Sequence, residues 1–218
     1  SGLPCHVNGC FAVTSNRRDL WTEGADKTLG DQSHARKARW NALLCAHALP
    51  RLYASALEHI AADDMQPRGE LTRGDLLGAL IPTGAESHGP LWRSLQRATL
   101  TELAERQACL CACYDEHDKL GLASFDGVVV ADANLARGPA YSTLRAALRQ
   151  TGRSLWAAPA ETVAALRAAG QTVRRATPRR VCEWLRAAVP ADGELPEWWD
   201  TGLVAEVLAF VLGSGATG

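Results

Sequence analysis

No stretch of this sequence approaches the roughly 18 uninterrupted apolar residues that a membrane-spanning helix needs. The longest candidate, 203–212, is too short and contains Glu206. A soluble protein with no membrane partner is therefore expected. Neither sign of charge is in excess: 23 Lys plus Arg stand against 24 Asp plus Glu, a net charge of −1, so electrostatics gives no reason to expect nucleic acid. Lysine is scarce, with only Lys27, Lys37 and Lys119. Arginine supplies the other positive charges, and its planar fork makes contacts that lysine cannot. A basic segment followed by an apolar one is missing at the start, as is Met at position 1. A beginning at Ser1-Gly2, directly before a strand-like run, reads as a chain cut from something longer.

The signatures of common chemistries are missing as well. His6, His34, His47, His59, His88 and His117 show no H-E-x-x-H or H-x-H spacing, and no G-x-S-x-G elbow or Cys/His signature supplies a nucleophile. His47 lies on an apolar helical pattern, where a packed histidine is the expected reading. Seven cysteines, an odd number without a secretion signal, read as free thiols. Cys109, Cys111 and Cys113 alternate on a strand pattern, which places them on one face about 7 Å apart rather than in the C-x-x-C knuckle that wraps zinc. A stripe of buried small side chains is expected there, and no metal. Gly127 and the Gly213-Ser214-Gly215 run are isolated, so no phosphate-cradling loop is recognised, and no cofactor is expected.

What is present is ample apolar material: 218 residues at 47% hydrophobic can bury one large core or two small ones. The strand-like runs 3–7 and 10–14 flank Asn8-Gly9, whose tolerance of positive φ predicts a two-residue hairpin turn. Ser15-Asn16 ends that pattern and leaves Arg17, Arg18 and Asp19 presented before the apolar anchors Leu20 and Trp21. Polar residues 22–32 read as a loop. Trp40, Leu43, Leu44, His47, Ala48, Leu52, Leu57, Ile60 and Ala61 then recur at helical spacing and predict one buried stripe, kinked or restarted by Pro50. Further helices are expected around 75–80 and over 91–106.

From Gln107 strands and helices alternate. Strands are expected at 108–114, 121–131, 154–157 and 172–175, and helices at 140–150, 160–169, from Thr177-Pro178 onward, and over 198–212. The fold class is thus α/β, an N-terminal β-hairpin with long helices followed by a βαβ-type mixed sheet with packed helices. The division expected is 1–106 for the hairpin and helical part and 107–218 for the βαβ-type part.

Residues 3–21, LPCHVNGCFAVTSNRRDLW, resemble a motif that recurs in the sacsin family, in the segment following each ATPase-like module related to the 90-kDa heat-shock chaperone. Trp40-Asn41, Leu43-Leu44, Pro50, Tyr53 and Leu57 are similar to that family's next helix. Trp92 and Leu95 resemble its W-x-x-L helix, and Val163, Leu166, Val173, Thr177, Pro178 and Leu185 follow its later pattern. The resemblance covers most of positions 2–190. It implies a very large cytosolic protein with chaperone or co-chaperone activity, whose partners are an upstream ATPase-like domain of the parent chain, the 70-kDa heat-shock chaperone system and client proteins. The ATP-binding set of those modules, a helical Asn, a D-x-G-x-G turn and a glycine-rich lid, is not found in these residues. A non-catalytic segment is expected.

The same resemblance singles out Arg18. In the middle domain of the 90-kDa chaperone a strand enters an S-R-E turn whose arginine reaches the γ-phosphate, and Ser15-Asn16-Arg17-Arg18-Asp19 occupies a similar position. A guanidinium there would offset charge developing on the transferred group. The pattern departs from that chaperone at Thr22, where a glutamine would follow. Pairing of Arg17 and Arg18 with nearby acids such as Asp19 to fix the turn is the structural alternative. Trp198 and Trp199, with Trp184, are either anchors for a partner surface or ordinary helix packing. Asp63-Asp64 reads as a solvated turn.

Overall fold

A computed structural model describes residues 4–16, 18–22, 32–63, 72–84, 89–114, 119–131, 133–138, 140–187 and 201–213. It is a mixed α/β fold. Helix α1, Gln32–Leu43, runs into a π-helical turn, Leu44–Ala48, and on into α2, Leu49–Ala62. The wide turn is the answer to Pro50. Proline has no N–H and its ring clashes with the carbonyl four residues back, and here the Leu49 N–H reaches back five residues to the Leu44 carbonyl.

The stripe expected to be buried along these helices is only half buried. Leu57 is in the core and Ile60 and Ala61 pack against it, but Trp40 is 48% exposed, Leu43 46% and Leu52 66%. His47 and Ala48 are exposed too. The buried face is instead made of Ala38, Asn41, Cys45, Pro50, Ala54 and Leu57. Small side chains let the backbone approach its neighbours, so the contact face is chosen by lack of bulk as much as by hydrophobicity.

Helix α3, Arg73–Leu80, starts at a capping box: the Thr72 hydroxyl accepts from the Asp75 N–H, and the Asp75 carboxylate accepts from the Thr72 N–H. Helix α4, Pro90–Glu105, follows Gly89, whose φ of 91° lies in the left-handed region that favours glycine. Arg106, just beyond α4, bonds Glu102 at 2.8 Å, Ser55 at 2.9 Å and Glu58 at 3.1 Å, tying α4 to α2.

Strands β1, Cys111–Tyr114, and β2, Leu120–Ala123, pair antiparallel, with Cys111 opposite Ala123. The continuous strand expected over 121–131 is broken. Ser124, Phe125, Asp126 and Gly127 form a turn closed by Gly127 N–H to Ser124 O at 3.0 Å, and β3, Val128–Val130, begins after it. Asp126-Gly127 is turn chemistry that the apolar run around it hides. Of the three alternate cysteines, Cys111 and Cys113 are buried as expected and Cys109 is exposed, because Cys109 precedes the strand and its alternation.

Helix α5, Ala133–Arg137, was not expected. After it come α6, Ala140–Gln150; β4, Ser154–Trp156; α7, Ala160–Ala168; α8, Pro178–Ala187; and α9, Thr201–Gly213. Strands β3 and β4 pair in parallel, and Arg175 bridges Val130 in parallel on the other side. The strand expected at 172–175 is that single bridge. Thus β3 lies in the middle, reached by two crossovers.

Because side chains alternate along a strand, β3 serves two cores. Val128 and Val130, with Trp156, pack with Leu57, Leu100 and Leu103 on one side, joined by Val163 and Leu166 of α7. Val129 and Leu155 pack on the other side with Leu144 and Leu148 of α6 and Val181 and Leu185 of α8, against which Val207 and Phe210 of α9 also lie. All three residues of β3 are buried, as a parallel strand covered by helices on both faces requires. The first core draws on residues either side of position 106. Among the described residues no helix is long and apolar enough to cross a membrane.

Candidate functional site

Residues 10–12 and Trp21 are fastened to α1, and one buried side chain does most of the holding. Asn41 accepts from the Ala12 N–H at 2.8 Å and donates to the Ala12 carbonyl at 2.8 Å and the Trp21 carbonyl at 2.9 Å. Its neighbour Trp40 donates its indole N–H to the Cys10 carbonyl at 2.7 Å. A primary amide carries both an acceptor and two donors, so it replaces a β-strand partner for Ala12. Sequence reasoning placed Trp40-Asn41 in a helical motif without seeing this role. The available signal was an amide beside the small residues Ala38 and Cys45, a polar group on the close-packed face.

The segment folds back on itself, but not where Asn8-Gly9 predicted. Among the described residues of 4–14 no strands pair around that dipeptide. Val13 instead bridges Leu20 antiparallel, with Thr14 N–H to Asp19 O at 2.9 Å and Trp21 N–H to Ala12 O at 3.1 Å. Asn8 and Gly9 are exposed, and a bond from the Phe11 N–H to the Gly9 carbonyl at 2.8 Å turns the chain toward α1. The register is set by the amide of Asn41, a contact that no local pattern encodes.

The loop between the bridged residues carries the Arg-bearing turn. The Asn16 side-chain oxygen accepts from the Arg18 N–H at 3.0 Å and from the Thr14 hydroxyl. The Thr14 hydroxyl also lies 3.1 Å from the Asp19 carbonyl. Asn16 thereby folds the loop in the way Asx turns do. Arg18 and Asp19 are exposed, and no ion pair joins them among the described residues. Arg17 lies outside the described residues. Past the loop, Trp21 stacks on His34 with ring centroids 4.1 Å apart and 17° between planes, and the Lys37 ammonium stands 5.7 Å from its centre. The seat of Trp21 is thus α1.

Before the loop, Cys5 meets Tyr53 of α2. Burial pushes the Cys5 thiol up, opposed by a hydrogen bond with Tyr53. Tyr53 donates to the Leu80 carbonyl at 2.6 Å, and burial raises its phenol well above the ordinary value. The segment is thus fastened to α1 and α2 and leaves its loop free on the surface. No group of His, Cys, Asp and Glu able to hold a metal occurs among the described residues. Cys111 and Cys113 are buried in the first core; Trp184 is half-buried under the Arg153 guanidinium, 5.0 Å from its centre. Trp198 and Trp199 lie outside the described residues, as does His117.

Over 71 residues, which make up 33% of this chain, the sequence is 37% identical to sacsin of Homo sapiens. The match takes in 1% of the length of that protein. The chain is therefore similar to a short segment of a far longer protein. No family model matches the chain, and no solved structure matches it.

Proposed function

We propose that this chain is a non-catalytic segment of a sacsin-like molecular chaperone or co-chaperone that supports protein folding and quality control, and that its exposed loop couples to an ATPase-like domain upstream in the parent chain. The partners implied are that upstream domain, the 70-kDa heat-shock chaperone system and client proteins in the cytoplasm. The observation that carries the reading is the Asn16-folded loop, with Arg18 exposed and its backbone held at 3.0 Å from the Asn16 oxygen. A cation on a loop anchored to a helix loses little freedom when it meets an anion, which is the requirement for an arginine that acts on a phosphate held elsewhere. The local identity with sacsin supports the assignment of the segment.

The decisive experiment introduces Arg18→Ala into a longer chain that includes the upstream ATPase-like module. ATP turnover is expected to fall on the order of tenfold or more, since arginines that contact a transferring phosphoryl group contribute at least that much. Unchanged turnover sinks the coupling role.

A second reading, a passive scaffold or protein-interaction module, is favoured by the exposed apolar side chains Trp40, Leu43 and Leu52. The two differ upstream: coupling requires a helical Asn and a D-x-G-x-G set in the preceding module. If those residues are missing from the parent gene, the scaffold reading replaces the first.

A further inference from the structure

The dipeptide Asn8-Gly9 is exposed and belongs to no helix or strand. Among the described residues neither the Asn8 side chain nor the Gly9 N–H has a hydrogen-bond partner; only the Gly9 carbonyl is used, by the Phe11 N–H at 2.8 Å. We propose that Asn8 is a site of spontaneous deamidation, and that its isoaspartyl product makes this segment a substrate for a carboxyl methyltransferase specific for isoaspartate.

The reaction needs a backbone nitrogen that can lose its proton and a side chain that can turn toward it. The Gly9 nitrogen gives its proton to water and attacks the Asn8 Cγ. A new C–N bond forms as the bond from Cγ to Nδ2 breaks, and the departing nitrogen takes a proton from water and leaves as ammonia. Water then opens the succinimide ring at either of its carbonyls, giving an aspartyl or an isoaspartyl linkage. Water is the only co-reactant.

Glycine in the second place leaves the attacking nitrogen uncrowded and the backbone free to turn. A Cβ at position 9 would also stand 3.3 Å from the Phe11 ring carbon Cε2.

The other asparagines of the chain are held. Asn41 is buried with its amide bonded to Ala12 and Trp21, the Asn16 oxygen accepts from the Arg18 N–H at 3.0 Å, and Asn134 lies within α5. Each is followed by a residue with a side chain, Ala42, Arg17 or Leu135. Asp126-Gly127 could close the same ring, but its Gly127 N–H is bonded to the Ser124 carbonyl at 3.0 Å and its carboxylate accepts from the Ser124 hydroxyl. An N–H engaged in a closed turn must first be released by local opening. Asn8 alone combines exposure, a free amide and a free glycine nitrogen.

Its place gives the product a structural effect. Cys5 is bonded to Tyr53 of α2, and the Cys10 carbonyl accepts from the Trp40 indole of α1 at 2.7 Å. An isoaspartyl link at position 8 adds a methylene to the backbone and a negative charge between those two attachments.

The test incubates the full 218-residue chain, folded and unfolded in guanidinium, at mildly alkaline pH. Peptide mass spectrometry with fragmentation follows conversion of each asparagine to acid, and isoaspartate methyltransferase with a labelled methyl donor reads the linkage in the released peptides. Asn8 should convert first in the fold, at a rate within roughly tenfold of that in the unfolded chain, which is a barrier no more than about 1.4 kcal/mol higher. Gly9→Ala should slow it roughly tenfold by the same relation, and Asn8→Gln, which must close a larger ring, should abolish methyl uptake in that peptide. Both positions are exposed, and circular dichroism checks that each variant is folded. Conversion at Asn8 slowed more than about tenfold by folding, or no faster in the fold than at Asn41, overturns the proposal. Acid at position 8 that takes no methyl group overturns the isoaspartyl product.

Discussion

The side-chain amide of Asn41 pairs with both backbone groups of Ala12, each at 2.8 Å, as one strand residue pairs with another. Asn41 is fully buried. A helix thereby provides the edge against which an extended segment is laid, and the turn that carries Asn16 and Arg18 follows a contact that spans 29 residues of sequence.

Asn41→Ala removes three hydrogen bonds at once and leaves the Ala12 N–H, the Ala12 carbonyl and the Trp21 carbonyl to find other partners. Unpaired buried groups each cost about 1–3 kcal/mol. With water able to reach part of this segment, a loss of roughly 3 kcal/mol in urea unfolding is expected, with faster hydrogen exchange at the Trp21 amide. Asn41→Asp keeps the oxygen that receives the Ala12 N–H but sets a buried negative charge against two carbonyls, so it is expected to be no milder. A loss below about 0.5 kcal/mol in both variants contradicts the role given to Asn41.

Asn16→Ala separates loop geometry from loop charge. The residue is exposed, so the expected stability loss is below about 1 kcal/mol. The Arg18 N–H loses its acceptor, and the loop gains freedom. In a longer chain carrying the upstream module, turnover should fall in the same direction as with Arg18→Ala, while the stacking of Trp21 on His34, read by tryptophan fluorescence, stays as it is. Full turnover in Asn16→Ala, together with loss in Arg18→Ala, would show that the charge acts without a preset loop.

Local chemistry is legible in this sequence, and long-range choice is not. Thr177-Pro178 reads as a cap and first helical residue, and the Thr177 hydroxyl lies at 3.4 Å from the Arg180 N–H that it caps. The helix at 140–150 and the strand near 154 are readable from period and flanking turn residues, and the mixed α/β class follows from their alternation. The face that α1 and α2 bury is not readable, because Ala38, Cys45 and Ala54 win it by being small while Trp40 and Leu52 stay outside. The candidate loop is half legible. Asn16 and Arg18 stand out by type, but Asn8-Gly9 carries the stronger local turn signal and loses to the pairing that Asn41 imposes from a distance.

Gly74 is the point of closest approach between α3 and β1. A Cβ there would stand 2.6 Å from the Tyr114 hydroxyl oxygen and 2.8 Å from the Ala112 Cβ. Replacing glycine by alanine in a helix gains up to about 1 kcal/mol of helical preference, and overpacking costs about 1–3 kcal/mol. The clash should win, so Gly74→Ala is expected to destabilise by about 1–2 kcal/mol. Because the nearest atom is the hydroxyl, the double variant with Tyr114→Phe should recover part of that loss. A double-mutant cycle with no coupling would mean that α3 shifts away from β1 instead of pressing on it.

The buried thiols make a pH-dependent prediction with a fixed sign. Burial pushes Cys45 and Cys113 up from 9.0 to about 11 and holds Cys111 well above its ordinary value. Cys10 and Cys109 are exposed. Since the thiolate is the nucleophile, iodoacetamide at about pH 8.5 should label Cys10 and Cys109 first and leave Cys45, Cys111 and Cys113 protected until the protein unfolds. In the unfolded chain these thiols lose their protons near pH 9, whereas in the fold they keep them to about pH 11. The folded state therefore binds more protons over that interval, and stability falls as pH rises through it. Their contribution is fully present below about pH 9, and Cys45→Ala should flatten the decline above it. Peptide mass spectrometry of the labelled protein checks the order of reaction; equal labelling of Cys111 and Cys109 in folded protein would contradict the burial of Cys111 in the first core.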